Sequence, residues 1–95
     1  MATNKAKSKV LLTVGKKLFI RTVTHYYTGK VISFDKDEII LDQAAWVADT
    51  SRWSIALEKG TLSEVEPYPD GPVAIARGAI VDYCEWKHDL PRQTK

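Results

Sequence analysis

The segment Gly29-Lys-Val-Ile-Ser-Phe-Asp-Lys-Asp-Glu-Ile-Ile-Leu41 joins two alternating apolar runs through an acidic turn, and few folds accommodate that pattern. Val31 and Ser33 fall on one face, Ile32 and Phe34 on the other; Asp35-Lys36-Asp37 turns the chain, and Ile39 and Leu41 resume the alternation of a paired strand. Gly29 can take a sharp bend because it has no Cβ to clash. The expected result is a β-meander that curls into a small barrel.

The remaining elements extend this reading. Lys17 to Thr24 sets Leu18, Ile20 and Thr22 against Phe19, Arg21 and Val23, the pattern of a first strand. Strand two is expected over 26–34 and strand three over 38–47. Asp49-Thr50-Ser51 offers helix N-cap candidates, Trp53, Ala56 and Leu57 recur at helical spacing, and Gly60 suits a C-terminal cap, so a short helix is expected over 51–59 with Trp53 facing inward. Residues 61–66 read as extended, Asp70-Gly71 as a turn, and 73–77 and 79–86 as two closing strands.

A chain of 95 residues suits one domain with a modest core, near the size where oligomerisation adds useful stability. The expected organisation is a flexible basic arm over 1–9, a single domain over 10–87 with a helical insert at about 49–66, and a polar tail over 88–95. Cys84 is the only cysteine, so no internal disulfide forms; no apolar run approaches the roughly 18 residues of a membrane span, and the opening residues, without a charged start, apolar core and cleavage site, are not expected to act as a secretory leader. A soluble protein of the reducing cytoplasm is expected, with no membrane partner.

Net charge is only +2, but its distribution is uneven. Residues 1–34 carry seven Lys or Arg and no acid, 35–85 carry four basic and eleven acidic residues, and 86–95 carry three basic and one acidic. The basic third can attract phosphate backbones while the acidic middle repels them; equally, the two can balance each other across faces or subunits.

Two further segments reinforce the opening one. Gly71-Pro-Val-Ala-Ile-Ala-Arg77-Gly78-Ala-Ile-Val81 is a strand ending in Arg-Gly followed at once by an apolar strand, and Gly15-Lys-Lys-Leu-Phe-Ile-Arg21 opens the domain. Together with Gly29–Leu41 they resemble the signature motifs of the Sm and Sm-like (LSm) proteins, the first motif being most like the bacterial host-factor branch. The resemblance covers 15–41 and 71–83; residues 42–70 do not follow it. It implies a mainly β, strongly bent five-stranded Sm-like (SH3-like) barrel, here with a short helical insert between strands three and four. It further implies a homo-oligomeric ring of about five to seven subunits closed by pairing of the last two strands, with single-stranded RNA as a partner.

By the same resemblance Arg77 and Gly78 lie at the inner rim of the ring, where the guanidinium holds a nucleotide and the glycine admits a close backbone approach. Lys36 and Asp37, in the turn of the first motif, complete the candidate RNA site. Asp37 stands where family members commonly carry a stacking residue, and Ile39 where many carry a base-reading Asn. An acid neither stacks a base nor favours phosphate, so the alternative is a ring-shaped scaffold for a protein or ligand, with Arg77 in an inter-subunit ion pair.

Lys16, Lys17, Arg21 and Lys30, interleaved with Phe19, Tyr26 and Tyr27, are the candidate basic surface; a solvated strand face is the competing reading. Trp46, Trp53, Trp86, Tyr26, Tyr27, Tyr68 and Tyr83 are stacking platforms or, equally, core and interface residues. Asp35, Asp37, Glu38 and Asp42 form an acidic cluster without a calcium-loop spacing, and His25, His88 and Cys84 have no zinc spacing. No metal, cofactor or catalytic constellation is implied, and a non-enzymatic role is expected.

Overall fold

The computed structural model describes residues 11–95; the expected arm over 1–9 lies outside them. Chain order is β1 (Lys17–Thr22), β2 (Tyr26–Phe34), β3 (Glu38–Asp49), helix α1 (Trp53–Lys59), β4 (Glu64–Pro67), β5 (Val73–Ala76), a 3-10 turn (Arg77–Ala79) and β6 (Ile80–Glu85). All pairings are antiparallel, in the order β4-β3-β2-β1-β6, with β5 also beside β3. The expected mainly β class stands. Among the described residues the strand count is six where five were expected, and the sheet is open, since no ladder joins β5 to β6.

The extra strand follows from a bend in β3. Its residues 38–41 pair with β5 and its residues 45–49 with β4, so both short strands run along the same side of one long strand. At the break, Gln43 has φ 53° and β3 carries one more residue than β2 between the pairs Thr28–Ala45 and Lys30–Asp42. Gly29 lies opposite this bulge. A Cβ there would sit 2.9 Å from both Cβ and Cδ1 of Leu41, so the bend rests on the absent side chain and not on an unusual φ.

Alternation in β1 supplies both sides of the core. Leu18 and Ile20 are buried with Val31, Ile39, Leu41 and Ile75, whereas Phe19 is buried on the other face with Val47, Ala56, Val65 and Trp86. Each such large side chain contributes about 1.5–3 kcal/mol by leaving water. The second face is covered by α1 and by the chain after β6.

Helix α1 begins at Trp53, later than the expected 51, with Arg52 at the N-cap and no side-chain cap. Asp49 is spent one turn earlier, where Oδ1 accepts the Ser51 N–H at 2.9 Å. Gly60 closes the helix as expected, at φ 75° with its N–H on the Ala56 carbonyl. Ala56, fully buried, is the inward residue; Trp53 is 38% exposed, lying over Phe19 and Tyr26 with ring centroids 5.4 and 5.6 Å away.

The polar tail over 88–95 folds back onto the sheet. Lys17 Nζ donates to the His88 carbonyl at 2.6 Å, and His88 Nε2 donates to the Leu57 carbonyl at 2.8 Å. Leu90 packs against the second core cluster, and Arg92 donates to the carbonyls of Ala44 and Tyr68.

Candidate nucleic-acid interface

The turn after β2 is built by its own acid. Asp35 Oδ1 accepts the backbone N–H groups of Asp37 at 2.8 Å and Glu38 at 2.9 Å, an Asx turn that leaves Lys36 and Asp37 at its tip. Those two N–H donors, and more weakly the Arg77 charge, hold the Asp35 carboxyl below the usual carboxylate range.

The 3-10 turn after β5 docks on this tip. Arg77 N–H donates to the Asp37 carbonyl and Arg77 Nη1 to the Asp35 carbonyl, both at 2.8 Å. Arg77, Gly78, Lys36 and Asp37 are thereby brought together although some forty residues separate the two turns. Lys36 and Asp37 have side chains 90% and 77% exposed, with Nζ and Oδ2 3.9 Å apart, a weak surface pair. A Cβ on Gly78 would meet nothing within 4 Å among the described residues, so packing within the chain does not require glycine there.

The candidate basic surface is largely committed to protein acceptors. Lys16 Nζ lies 3.7 Å from Glu85, Lys17 is held by the His88 carbonyl, and Arg21 makes a two-pronged bond to Asp82 through Nε at 3.1 Å and Nη2 at 2.5 Å. The Arg21 bond raises the guanidinium pKa and lowers that of the Asp82 carboxyl. Arg21 also lies over the Trp53 ring, 5.6 Å from its centroid. Lys30 alone of the four has no ion-pair or hydrogen-bond partner for its side chain among the described residues.

The aromatic residues divide by face. Tyr26, Trp53 and Trp86 surround Phe19 on the side covered by α1. On the other face Tyr27 and Trp46 lie opposite each other across β2 and β3, and the His25 ring contacts both at 4.9 and 5.1 Å. His25 is fixed through Nδ1 with Thr24 Oγ1 at 2.6 Å and Nε2 with the Tyr27 hydroxyl at 2.8 Å. Burial, then Tyr68, pushes the Tyr27 hydroxyl pKa up. A cavity of about 230 Å³ opens beside this cluster, between the β1–β2 turn and Ala74, Ala76 and Ala79. Sequence reasoning set His25 aside for lack of a metal spacing; its signal was the run His25-Tyr26-Tyr27 at a strand start.

Among the described residues no three His, Cys, Asp or Glu side chains are placed to hold a metal, and Asp42 faces Lys30 across the ladder, away from the Asp35 turn. Cys84 is half-buried, and burial followed by the Asp82 charge pushes its thiol pKa up. No helix among the described residues is long and apolar enough to cross a membrane. Compared with protein-family models, curated proteins and solved structures, the chain has no match.

Proposed function

We propose that the chain is an Sm-like protein whose bent sheet is a five-stranded barrel with its fourth strand interrupted into β4 and β5, and that it assembles as a homo-oligomeric ring binding single-stranded RNA. The observation carrying this reading is the docking of Arg77-Gly78 on the Asp35–Asp37 turn through two 2.8 Å hydrogen bonds. The Nη1 bond orients the guanidinium beside an exposed Lys36, leaving its other N–H donors for phosphate or a base edge. An open Gly78 admits a close backbone approach by a ligand or neighbour.

Backbone polarity supports the ring. Arg77 N–H bonds Asp37, so Val73 and Ile75 face β3 and the backbone groups of Ala74 and Ala76 point away from it. Trp86 N–H bonds Lys17, so Tyr83 and Glu85 likewise point away from β1. These two edges have no partner among the described residues, and a neighbouring copy can satisfy both.

The second reading, a ring-shaped scaffold without RNA, is favoured by Asp37 at the stacking position and by the protein-bound state of Lys16, Lys17 and Arg21. Native mass together with retention on single-stranded RNA across a salt series separates them. Phosphate contacts lose affinity steeply as salt rises, whereas an apolar protein contact does not. A monodisperse monomer at micromolar concentration refutes both rings.

A further inference from the structure

The side of the sheet formed by β4 and β5 is open along one half and closed along the other. Tyr68 N–H bonds the Ala44 carbonyl, which places Glu66 toward β3 and leaves Val65 and Pro67 pointing outward. Pro67 has no N–H to offer, so Val65 supplies the one outward donor of β4. That donor is taken: Val65 N–H bonds the Lys95 carbonyl at 3.3 Å, and Lys95 N–H bonds the Val65 carbonyl at 2.9 Å.

We infer that residues 88–95 are a built-in edge cap that occupies β4 in the manner of an added strand and confines strand-mediated assembly to β5 and β6. The cap stands on its own backbone bonds and does not depend on RNA binding. Its anchors are spaced along the segment. Trp86 Nε1 donates to the Asp89 carbonyl at 3.0 Å, Leu90 joins the core cluster, Arg92 bridges two carbonyls, and Lys95 Nζ donates to the Leu62 carbonyl at 3.1 Å.

The segment borders a cavity of about 440 Å³ lined also by Leu62, Val65 and Trp86, all three of them buried. A segment joined to the sheet by a few spaced contacts belongs to the less stable part of a fold and can be released while the sheet persists. Release would expose the Val65 backbone and an apolar floor together, the combination that recruits an extended strand from another chain.

Hydrogen exchange on the intact 95-residue chain reads the cap directly. The Val65 amide should be protected, and Leu90→Asp should accelerate its exchange at least about tenfold while the Ile20 and Leu41 amides keep theirs. Deleting 88–95 should give species heavier than the parent in sedimentation, and adding a peptide of residues 88–95 in excess should reverse the growth. Free exchange of Val65 in the parent overturns the inference, as does a folded deletion variant that sediments as the parent does. If the deletion does not fold, exchange in the parent and in Leu90→Asp decides. A monomeric parent with a protected Val65 would sink the ring and leave the cap standing.

Discussion

Replacing Gly29 by alanine sets two effects of opposite sign against each other, and the structure decides between them. Gly29 is not at positive φ, so alanine meets no backbone penalty and, by restricting the unfolded chain, would stabilise by about 0.4–1 kcal/mol in open space. The space is not open. The new Cβ would lie 2.9 Å from Leu41 Cβ and Cδ1 and 3.2 Å from Cγ. Cδ1 could swing aside, but Cβ is fixed to the β3 backbone and Leu41 is fully buried. Overpacking of this kind costs about 1–3 kcal/mol, so taking the middle of both ranges the net expectation is a loss of about 1–2 kcal/mol. For a domain of this size that lowers Tm by roughly 4–16 °C in a calorimetric or circular-dichroism melt. In a Leu41→Ala background, which removes Cγ and Cδ1 but keeps Cβ, only part of the penalty of the added methyl should be relieved, about 0.5 kcal/mol. A Gly29→Ala protein that melts above its parent would refute the claim that close passage of β2 over β3 requires glycine.

Thr28 is fully buried and its hydroxyl has no hydrogen-bond partner among the described residues, so Thr28→Val, of nearly the same shape, should raise stability by about 1 kcal/mol in denaturant unfolding. Asp82, bonded by Arg21, and Asp35, bonded by the Asp37 and Glu38 N–H groups, both have lowered pKa values. Their stabilisation is therefore present above the ordinary carboxylate value near about 3.9 and is lost as pH falls through the lower folded values. Asp35→Asn and Asp82→Asn should each flatten the fall of Tm below about pH 4; parallel curves for parent and variants would count against these bonds.

The parts legible in the sequence were those fixed by local chemistry. β2 and its turn followed from alternation and Asp35, and Gly60 announced the helix end because only a residue tolerant of positive φ closes a helix that way. The helix start was misread because Asp49, a good cap by type, bonds Ser51 instead. β4 was visible as an extended stretch, but its rank as a separate strand depends on the Gln43 bulge, which sequence does not mark. Part of the candidate basic surface is paired with acids for a related reason. Arg21 and Lys16 meet Asp82 and Glu85, acids some sixty residues distant that only the β1–β6 ladder brings near. The tail was read as polar because its bonds run through backbone carbonyls, to which composition is blind. Arg77, Gly78, Lys36 and Asp37 were grouped by the resemblance alone; their meeting through the bond from the Arg77 N–H to the Asp37 carbonyl depends on how β5 pairs with β3, which neither motif marks.

The central claim, that this meeting forms an RNA rim, is tested most directly by fluorescence anisotropy of a labelled single-stranded RNA against the parent and Arg77→Ala across a salt series. The account predicts that the parent binds at physiological salt with an affinity that falls as salt rises, and that Arg77→Ala weakens binding about tenfold or more while the native mass is unchanged. No binding by the parent, or equal binding by both proteins, would contradict it and leave the scaffold as the better account.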